Sequence, residues 1–465
     1  MGILHLNDTI CALSTAPGMG AIAVIRLSGP ASFDVISQVF KPAEKKLDIR
    51  TSASHTIHFG IIGSGISILD EVLISLFRAP HSYTGENVIE ISCHGSVYIQ
   101  QKIIELLVAS GLRLATPGEF TLRAFMNRKL DLSQAEAVAD LISSHSGSSH
   151  DLAIQQMRGG FSKKINTLRQ SLLEFTSLIE LELDFSEEHM IFADRDDLRV
   201  LLDQIETELG HLVASFSMGN VIKNGIPVAI IGKPNVGKST LLNAILNEEK
   251  AIVSEIPGTT RDAIEDTIVI GGYSFRFIDT AGLRAAEDKI ETIGIERTWE
   301  KIGEATIILY VFDVTQQSFS DVMESLSEFR EITADKSRNL ILIGNKMDKL
   351  KTLPKGFKDF VEHETIFVSG KRKENINQVA DHLQKVVEHA NLSDKTIISN
   401  SRHYEALHKA LGSITNVRAG LRIGISPDLL TTDIRKALYH LGEITGEVTT
   451  DEILGAIFSR FCIGK

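Results

Sequence analysis

A glycine-rich turn at residues 232–239, GKPNVGKS, has the residue types and the spacing of a phosphate-binding loop. Gly232 and Gly237 allow the backbone to turn tightly and to point its N–H groups at an anion. Lys238 can reach the β- and γ-phosphates of a nucleotide, and the hydroxyl of Ser239 can bind Mg²⁺. The alternative is a glycine-rich turn that binds no phosphate. The other motifs must decide between these two interpretations.

Two further motifs fit the triphosphate end of such a site. DTAG, at Asp279–Gly282, follows an alternating strand, where an acid can support the bound Mg²⁺. Gly282 can offer its N–H to the γ-phosphate and move when that phosphate leaves. GTTRD, at Gly258–Asp262, offers a threonine that can close over Mg²⁺ as a switch, and we favour Thr260.

The next two motifs fit the base. NKMD, at Asn345–Asp348, follows a buried apolar run, and Asp348 can accept hydrogen bonds from the N1–H and the 2-amino group of guanine. Adenine lacks this donor pair, so the aspartate selects guanine. Lys346 can lie along the base plane, and Ser369–Lys371 can offer a backbone contact to the guanine carbonyl. Along the chain the five motifs begin at residues 232, 258, 279, 345 and 369, which is the order of a GTPase, and together they predict GTP binding.

The residue after DTAG is Leu283, where Ras-like enzymes place a glutamine that orients the attacking water. Leucine has no polar group, so another residue must position the water. The candidates are the acids of the following loop, Glu287, Asp288 and Glu291. Positive charge for the transition state can come from Arg261, from Arg284 or from a bound monovalent cation.

Apolar segments of the length of a β-strand precede most of these motifs, and a segment with helical spacing of its apolar residues follows the glycine-rich turn. The predicted strands are Ile226–Ile231, Ser274–Ile278, Leu340–Gly344 and Thr365–Val368, with a helix over Thr240–Asn247. This order predicts a P-loop GTPase module of the Ras-like α/β type.

Helical patterning flanks this module on both sides. Apolar residues recur at helical spacing over 161–179 and 198–216, and again over 407–421, 429–441 and 453–461. The pattern predicts a helical domain that is interrupted by an inserted module, whose two ends lie close together.

Residues 1–127 have the mixed pattern of an α/β unit. Its two loops, Ser14–Gly20 and Ala79–Glu86, are either plain turns or the lining of a site. After this unit, Ser133 with Glu136 forms a predicted capping box. The predicted elements are strands over Ala21–Leu27, Glu71–Phe77 and Val88–Ser92, and a helix from Val97 to Ser110.

Composition narrows the class of protein. The 465 residues suffice for about three domains, and the 43% hydrophobic and 23% charged residues are those of a globular chain. Lys+Arg 48 against Asp+Glu 60 gives a net charge of −12, so no global basic surface for nucleic acid is expected. Three unpaired cysteines argue against a disulfide scaffold or a zinc site and favour a reducing, cytoplasmic location. No secretory signal and no membrane-spanning run is evident.

Several longer segments carry a family resemblance. They are AIAVIRLSG (Ala21–Gly29), SYTGENVIEI (Ser82–Ile91), TPGEFTLRAFMNRKLDLSQAEAVADLI (Thr116–Ile142), GKPNVGKSTLLN, IPGTTRD, DTAGLR, IETIGIER (Ile290–Arg297) and FCIGK (Phe461–Lys465). Over essentially the whole chain, the sequence resembles the MnmE (TrmE) family of tRNA modification GTPases.

The resemblance implies a multidomain α/β plus α fold. It implies a folate-binding and dimerisation domain at 1–127, a helical domain at 128–220 and 390–465, and an inserted GTPase domain at 221–389.

The resemblance also implies site residues. Glu291 would be the catalytic glutamate, acting through a bridging water, and K⁺ would replace an arginine finger. Asn235, Ser254, Ile256 and Thr259 would hold K⁺, Ser239 and Thr260 would hold Mg²⁺, and Arg26, Glu90, Lys129 and Lys465 would contact folate. Cys462 matches the family's terminal cysteine, which is needed for modification; an inert thiol is its alternative. The expected nucleotide contacts are Asn235, Val236, Gly237, Lys238, Ser239, Thr240, Ser254, Glu255, Ile256, Pro257, Gly258, Thr259, Thr260, Asp279, Thr280, Ala281, Gly282, Asn345, Lys346, Asp348, Ser369, Gly370 and Lys371.

The implied reaction is modification at C5 of the wobble uridine of tRNA, coupled to GTP hydrolysis. A homodimer would work with an MnmG (GidA) flavoprotein that uses FAD and NADH, in a heterotetramer or larger complex. A 5-formyl- or methylene-tetrahydrofolate would supply the one-carbon unit.

Three departures from the family pattern concern Met19, Ser92–Ser96 and Gly370. The first two bear on the shape of the folate pocket, whereas the third concerns only a backbone contact. Two alternatives stay open at this point: a GTP-regulated ribosome-assembly or RNA-binding switch without one-carbon chemistry, and a GTP-binding scaffold.

Overall fold

The computed structural model forms two compact units. The first comprises Met1–Ala139, Gln156–Arg195 and Ala419–Lys465, and the second comprises Asp140–Gln155 and Asp196–Arg418. The residues described are 7–65, 67–184, 195–248, 252–253, 266–278, 303, 305–328, 339–350, 352, 365–389 and 396–465. The domain boundaries that the resemblance implies, at residues 127, 220 and 389, remain predictions.

The described elements are a mixed strand and helix region up to residue 126, helices from 132 to 224, a second mixed region from 226 to 389, and helices from residue 401 onward. The strands are β1 Ile10–Leu13, β2 Ile22–Ser28, β3 Phe40–Pro42, β4 Thr56–Ser64, β5 Ser67–Phe77, β6 Val88–His94, β7 Arg113–Leu114, β8 Ile226–Ile231, β9 Ile252–Val253, β10 Asp266–Ile270, β11 Tyr273–Phe277, β12 Ile307–Asp313, β13 Asn339–Asn345 and β14 Thr365–Phe367. The helices are α1 Ser32–Val39, α2 Val97–Ala109, α3 Glu119–Met126, α4 Leu132–Ile142, α5 Gly147–Met157, α6 Gly160–Asp184, α7 Arg195–Asn224, α8 Lys238–Leu246, α9 Phe319–Glu328, α10 Ile376–His389, α11 Ser401–Ile423, α12 Pro427–Thr445 and α13 Asp451–Phe458.

The first unit contains a sheet in the order β3-β4-β5-β6-β2-β1-β7, antiparallel except for the β1–β7 pair. Side chains alternate along each strand: Ile25 and Leu27 of β2 are fully buried in the core, and Arg26 between them points to the opposite face. In the register of β2 with β6, Arg26 lies opposite Glu90. The predicted strands of this region are confirmed, although β5 begins at Ser67, earlier than predicted.

Helices α6 and α12 pack against each other in an antiparallel arrangement. Arg435 of α12 pairs with Glu180 near the end of α6 at 2.6 Å, and Arg169 nearer its start pairs with Glu447. The predicted apolar stripe of α6 is confirmed, and burying each large side chain contributes roughly 1.5–3 kcal/mol. Its buried members include Phe161, Ile165, Leu172, Phe175 and Ile179. None of the described helices has the length together with the apolarity that a bilayer crossing needs.

Helix α4 begins with a capping box different from the predicted one. The Asp131 carboxylate accepts the N–H of Gln134 at 3.0 Å, and the Gln134 side-chain oxygen accepts the N–H of Asp131 at 3.0 Å. The predicted box of Ser133 and Glu136 is wrong because the helix starts directly after Asp131. The Ser133 hydroxyl instead donates to Asp131 and contacts the hydroxyl of Ser162.

The second unit contains a sheet in the order β14-β13-β12-β8-β11-β10-β9. The strands from β14 to β11 are parallel to their neighbours, and β10 pairs antiparallel with both β11 and β9. The carboxyl ends of parallel strands meet at one edge of a sheet, where ligands of α/β proteins bind. The loops that follow β8, β12, β13 and β14 therefore converge, as the Ras-like interpretation requires.

Candidate functional site

The glycine-rich turn joins β8 to α8 in a shape that requires its two glycines. Gly232 has φ 145° and Gly237 has φ 97°. A Cβ on Gly232 would collide with the carbonyl oxygen of Val311, and one on Gly237 would collide with the amide of Asn345. Any larger residue would therefore push the loop away from the strand ends that it contacts.

Lys238 begins α8 and turns its ammonium back toward the loop. Its Nζ donates to the carbonyl oxygens of Gly232 at 2.8 Å and Lys233 at 2.9 Å. Burial lowers the pKa of Lys238 below its usual range. The predicted Mg²⁺ ligand Ser239 and its neighbour Thr240 lie in the first turn of the same helix, whose N–H groups favour an anion.

Asn345 at the end of β13 connects three of the predicted motifs. Its amide donates to the carbonyl of Val236 in the glycine-rich turn at 2.9 Å. Its side-chain oxygen accepts the N–H of Lys346 at 2.8 Å and the N–H of Gly370 at 3.1 Å. The structure thus brings these predicted residues together around a side chain that is only 3% exposed.

Asp348 lies in a short 3₁₀ turn with its carboxylate oriented by a neighbour. The hydroxyl of Ser369 donates to Asp348 Oδ1 at 2.7 Å, and Arg372 Nε lies 3.9 Å from Oδ2. Sequence reasoning assigned Ser369 only a backbone contact and did not find this role of its hydroxyl. Lys371 is exposed.

Asp313 at the end of β12 is a site residue that sequence reasoning missed. Its carboxylate accepts Lys346 Nζ at 2.7 Å and the Thr315 hydroxyl at 2.6 Å, and the same Lys346 Nζ donates to the carbonyl of Asn235 at 2.7 Å. Burial alone would raise the pKa of Asp313, but the hydrogen bonds from Lys346 and Thr315 outweigh burial and lower it. An acid at the end of the apolar run 307–312 was the available signal.

Several predicted residues lie outside the described part of the chain. They are Ser254, Glu255, Ile256, Pro257, Gly258, Thr259, Thr260, Arg261, Asp279, Thr280, Ala281, Gly282, Leu283, Arg284, Glu287, Asp288 and Glu291. Their roles stay predictions.

In the first unit, Arg26 and Glu90 form an ion pair on the face of the sheet opposite to Ile25 and Leu27. Arg26 Nη2 and Nε lie 2.8 Å and 2.9 Å from Glu90 Oε1. The guanidinium packs over the rings of Tyr83 at 5.2 Å and Phe120 at 5.7 Å. Its Nη1 is buried and, within the described residues, has no hydrogen-bond partner.

The end of the chain is anchored beside this pair. Ser14 Oγ donates to the carbonyl of Gly464 at 3.2 Å, and the N–H of Phe120 donates to the main-chain oxygen of Lys465 at 3.2 Å. Burial and the nearby Arg26 lower the pKa of Lys465, against an opposing effect of Glu90. Lys465 therefore lies close enough to Arg26 and Glu90 for their charges to act on it, and its contact with folate stays a prediction.

The remaining predicted residues of this region have more peripheral positions. Lys129 is exposed, and its Nζ donates to the carbonyl of Pro80 at 3.1 Å, in the loop that carries Tyr83. Cys462 is an exposed free thiol, and Met19 is 91% exposed.

Comparison with known proteins covers both units. Residues 9–129 match the family described as the GTP-binding protein TrmE N-terminus, and residues 132–462 match the MnmE helical domain. The tRNA modification GTPase MnmE of Flavobacterium psychrophilum is 53% identical over 461 residues, covering 99% of this chain and 99% of that protein. The proteins of the same name from Christiangramia forsetii and Bacteroides fragilis (strain ATCC 25285) are 52% and 51% identical, each covering 99% of this chain and 100% of the relative. These matches show that the chain belongs to the MnmE (TrmE) family of tRNA modification GTPases.

Proposed function

We propose that this GTP hydrolase is stimulated by K⁺ and acts with an MnmG (GidA)-type flavoprotein on C5 of the wobble uridine, position 34, of tRNA. A 5-formyl- or methylene-tetrahydrofolate supplies the one-carbon unit of an aminomethyl or carboxymethylaminomethyl group. The observation that carries the proposal is the buried Nη1 of Arg26, which has no hydrogen-bond partner within the described residues. It lies beside Phe120, whose N–H donates to the main-chain oxygen of Lys465 at the end of the chain. The name of its relatives supports tRNA as the substrate.

The residues around Arg26 fit a folate. The buried Nη1 of Arg26 has no hydrogen-bond partner within the described residues, so it can donate to a ligand. A pterin ring carries amino and ring N–H donors that suit the carboxylate of Glu90, and its flat face suits Tyr83. Lys465 adds a positive charge beside Glu90, where it can pair with polar groups of the ligand. When bound, the folate supplies the one-carbon unit, while these side chains fix its orientation.

In the nucleotide site, Lys238 and the first turn of α8 bind the phosphates, and Ser239 with Thr260 hold Mg²⁺, which offsets phosphate charge. Asn235 and residues 254–259 hold K⁺, and Arg261 and Arg284 stay candidates for additional positive charge. Glu291 accepts a hydrogen bond from a bridging water and so orients the attacking water.

We expect Glu291→Ala to lower kcat for GTP hydrolysis about 10- to 100-fold, because the water loses its orienting acceptor. The affinity for GTP should stay within about twofold, since the glutamate acts on the water and not on the nucleotide. Steady-state hydrolysis in KCl, with nucleotide affinity measured by fluorescence, checks both values.

The matched control for the cation is the unmodified protein in NaCl at the same ionic strength, where hydrolysis should be slower than in KCl. Equal rates in the two salts would remove K⁺ from the proposal. A parallel loss of GTP affinity in Glu291→Ala would contradict the assigned role of the glutamate.

An exposed apolar patch on the N-terminal sheet supports a homodimer. Phe59 of β4 is 52% exposed and lies opposite Leu73 of β5, which is 45% exposed, and Ile57 on the same face of β4 is 65% exposed. Contiguous exposed apolar side chains mark interaction sites, and a patch shared by two copies gives a closed two-fold interface.

Phe59→Asp should therefore convert the protein from dimer to monomer, because the interface would have to bury a carboxylate. Light scattering after size exclusion measures the mass. The control is Leu429→Asp, which changes an exposed leucine of α12 in the same way. A monomeric unmodified protein, or equal dissociation of both variants, would count against this interface.

The chain's net charge of −12 suits a division of labour in which the flavoprotein supplies much of the positive surface for tRNA. We place the reaction in the cytoplasm.

Mass spectrometry of wobble uridine in tRNA from cells that lack this protein tests the whole proposal. Unmodified uridine is expected, and a normal modification level would overturn it in favour of another GTP-regulated role.

A further inference from the structure

The carboxylate of Asp313 lies under the nucleotide site and is only 2% exposed. The contacts of this carboxylate are described above, but its function in nucleotide binding or hydrolysis is not. Three donors hold it: Lys346 Nζ at 2.7 Å, the hydroxyl of Thr315 at 2.6 Å and the N–H of Thr315 at 2.9 Å. A carboxylate this deeply buried is retained only where its charge is compensated, and here Lys346 compensates it.

Lys346 has a backbone conformation that is uncommon for a residue other than glycine. Its φ is 68°, in the left-handed region that non-glycine residues rarely adopt. The parallel register of β12 and β13 places Asp313 beside Asn345, so the next residue, Lys346, can reach back across the strand end. The ion pair therefore fixes the direction of the Lys346 side chain.

The same ammonium also reaches the glycine-rich turn. Lys346 Nζ donates to the main-chain carbonyl of Asn235 at 2.7 Å, and Asn235 itself has φ 63°. We propose that Asp313 is a positioning residue of the nucleotide site: it holds Lys346, and through Lys346 it holds the Asn235 turn in the shape that receives guanine nucleotides. Asp313 acts through Lys346 and makes no contact with the nucleotide itself.

Asp313→Asn tests this role because asparagine keeps the shape and an acceptor oxygen but removes the charge. We expect the dissociation constant of a fluorescent GDP to rise about tenfold, and that for Asp313→Ala to rise further, since the charge-assisted hydrogen bond is weakened or lost. At saturating GTP, kcat should stay within about threefold, because positioning for ground-state binding acts mainly on affinity. Asp203→Asn is the matched control, because Asp203 is an exposed partner of Arg418 in the same unit and should leave affinity unchanged.

A double-mutant cycle with Lys346→Met separates positioning from a general structural effect. In the Lys346→Met background, Asp313→Asn should change the dissociation constant by less than about twofold, because its partner is already gone. Two losses that simply multiply would overturn the proposal. Should Asp313→Asn fail to give folded protein by thermal unfolding, Thr315→Val is used instead. It removes the hydroxyl donor to Asp313, and its smaller loss of affinity must also vanish when Lys346 is methionine.

Discussion

Asp348→Asn should turn a guanine-selective site into one that prefers xanthine. The carboxylate of Asp348 is held by the Ser369 hydroxyl at 2.7 Å, and its side chain is 10% exposed, so it is oriented and largely shielded from water. A carboxylate accepts two hydrogen bonds from the N1–H and the 2-amino group of guanine. Asparagine has one acceptor and one amino donor, so its amino group faces the guanine amine without a partner.

The expected loss in GTP and GDP affinity is about 100- to 1,000-fold, because one charge-assisted hydrogen bond is lost and a second donor is left unpaired. Xanthine has a carbonyl where guanine has the amine, so the asparagine amino group can donate to it. Xanthosine nucleotides should therefore bind the variant more tightly than they bind the unmodified protein. Competition against a fluorescent GDP analogue measures both changes.

Ser369→Ala is the matched comparison, since it removes the hydroxyl that orients Asp348 but leaves the carboxylate. It should weaken GTP binding by only about 3- to 10-fold, as expected for one lost hydrogen bond, and should give no gain for xanthosine nucleotides. If Asp348→Asn kept its preference for guanine over xanthine, Asp348 would not be the residue that reads the base.

The glycine-rich turn could be predicted from sequence because its parts are local. A phosphate loop needs glycine at Gly232 and Gly237 and lysine at Lys238, and these demands leave a spacing that is visible in the chain. Strand β8 has the predicted bounds for the same reason: its apolar run stops where the glycine-rich turn begins. Local chemistry of this kind depends little on the rest of the fold.

The sequence did not reveal Asp313 as a site residue, because its position in the site depends on how two strands pair. Asp313 matters because β12 and β13 pair in a frame that sets it beside Asn345, and a single strand does not reveal that frame. The capping box at α4 was missed for a related reason. Asp131 and Ser133 are both good N-cap residues with a suitable partner three positions later, and only the helix start distinguishes them.

The proximity of the chain end to Arg26 and Glu90 could be predicted only through the family resemblance, because these residues are distant in sequence. Ser14 and Gly464, which anchor the end of the chain, are separated by 450 positions. No local pattern predicts that Lys465 reaches Arg26. In the structure Lys465 lies close enough for the charge of Arg26 to lower its pKa, and this proximity gives the folate proposal a specific test.

Arg26→Ala should reduce the affinity for 5-formyltetrahydrofolate by several hundredfold. The change removes the buried Nη1 donor and the guanidinium that orients Glu90, 2.8 Å away. One hydrogen bond to the ligand is therefore lost and a second is weakened, and a hydrogen bond that involves a charged group is worth about 1.5–3 kcal/mol. GTP hydrolysis in the absence of tRNA should be unchanged, since every contact of Arg26 described above lies in the first unit. Calorimetry with the folate derivative measures the first effect, and steady-state hydrolysis measures the second.

Two variants make the result specific to the pocket. Arg26→Lys keeps the charge but loses the fork that binds Glu90 and donates through Nη1, so it should recover only a small part of the affinity. Arg50→Ala removes a surface arginine of the same sheet domain, whose partner Asp34 is 3.2 Å away, and should leave folate binding intact. If Arg26→Ala binds the folate as tightly as the unmodified protein, the pocket at Arg26, Glu90 and Lys465 is not the folate site. The one-carbon step would then lose the observation on which it rests.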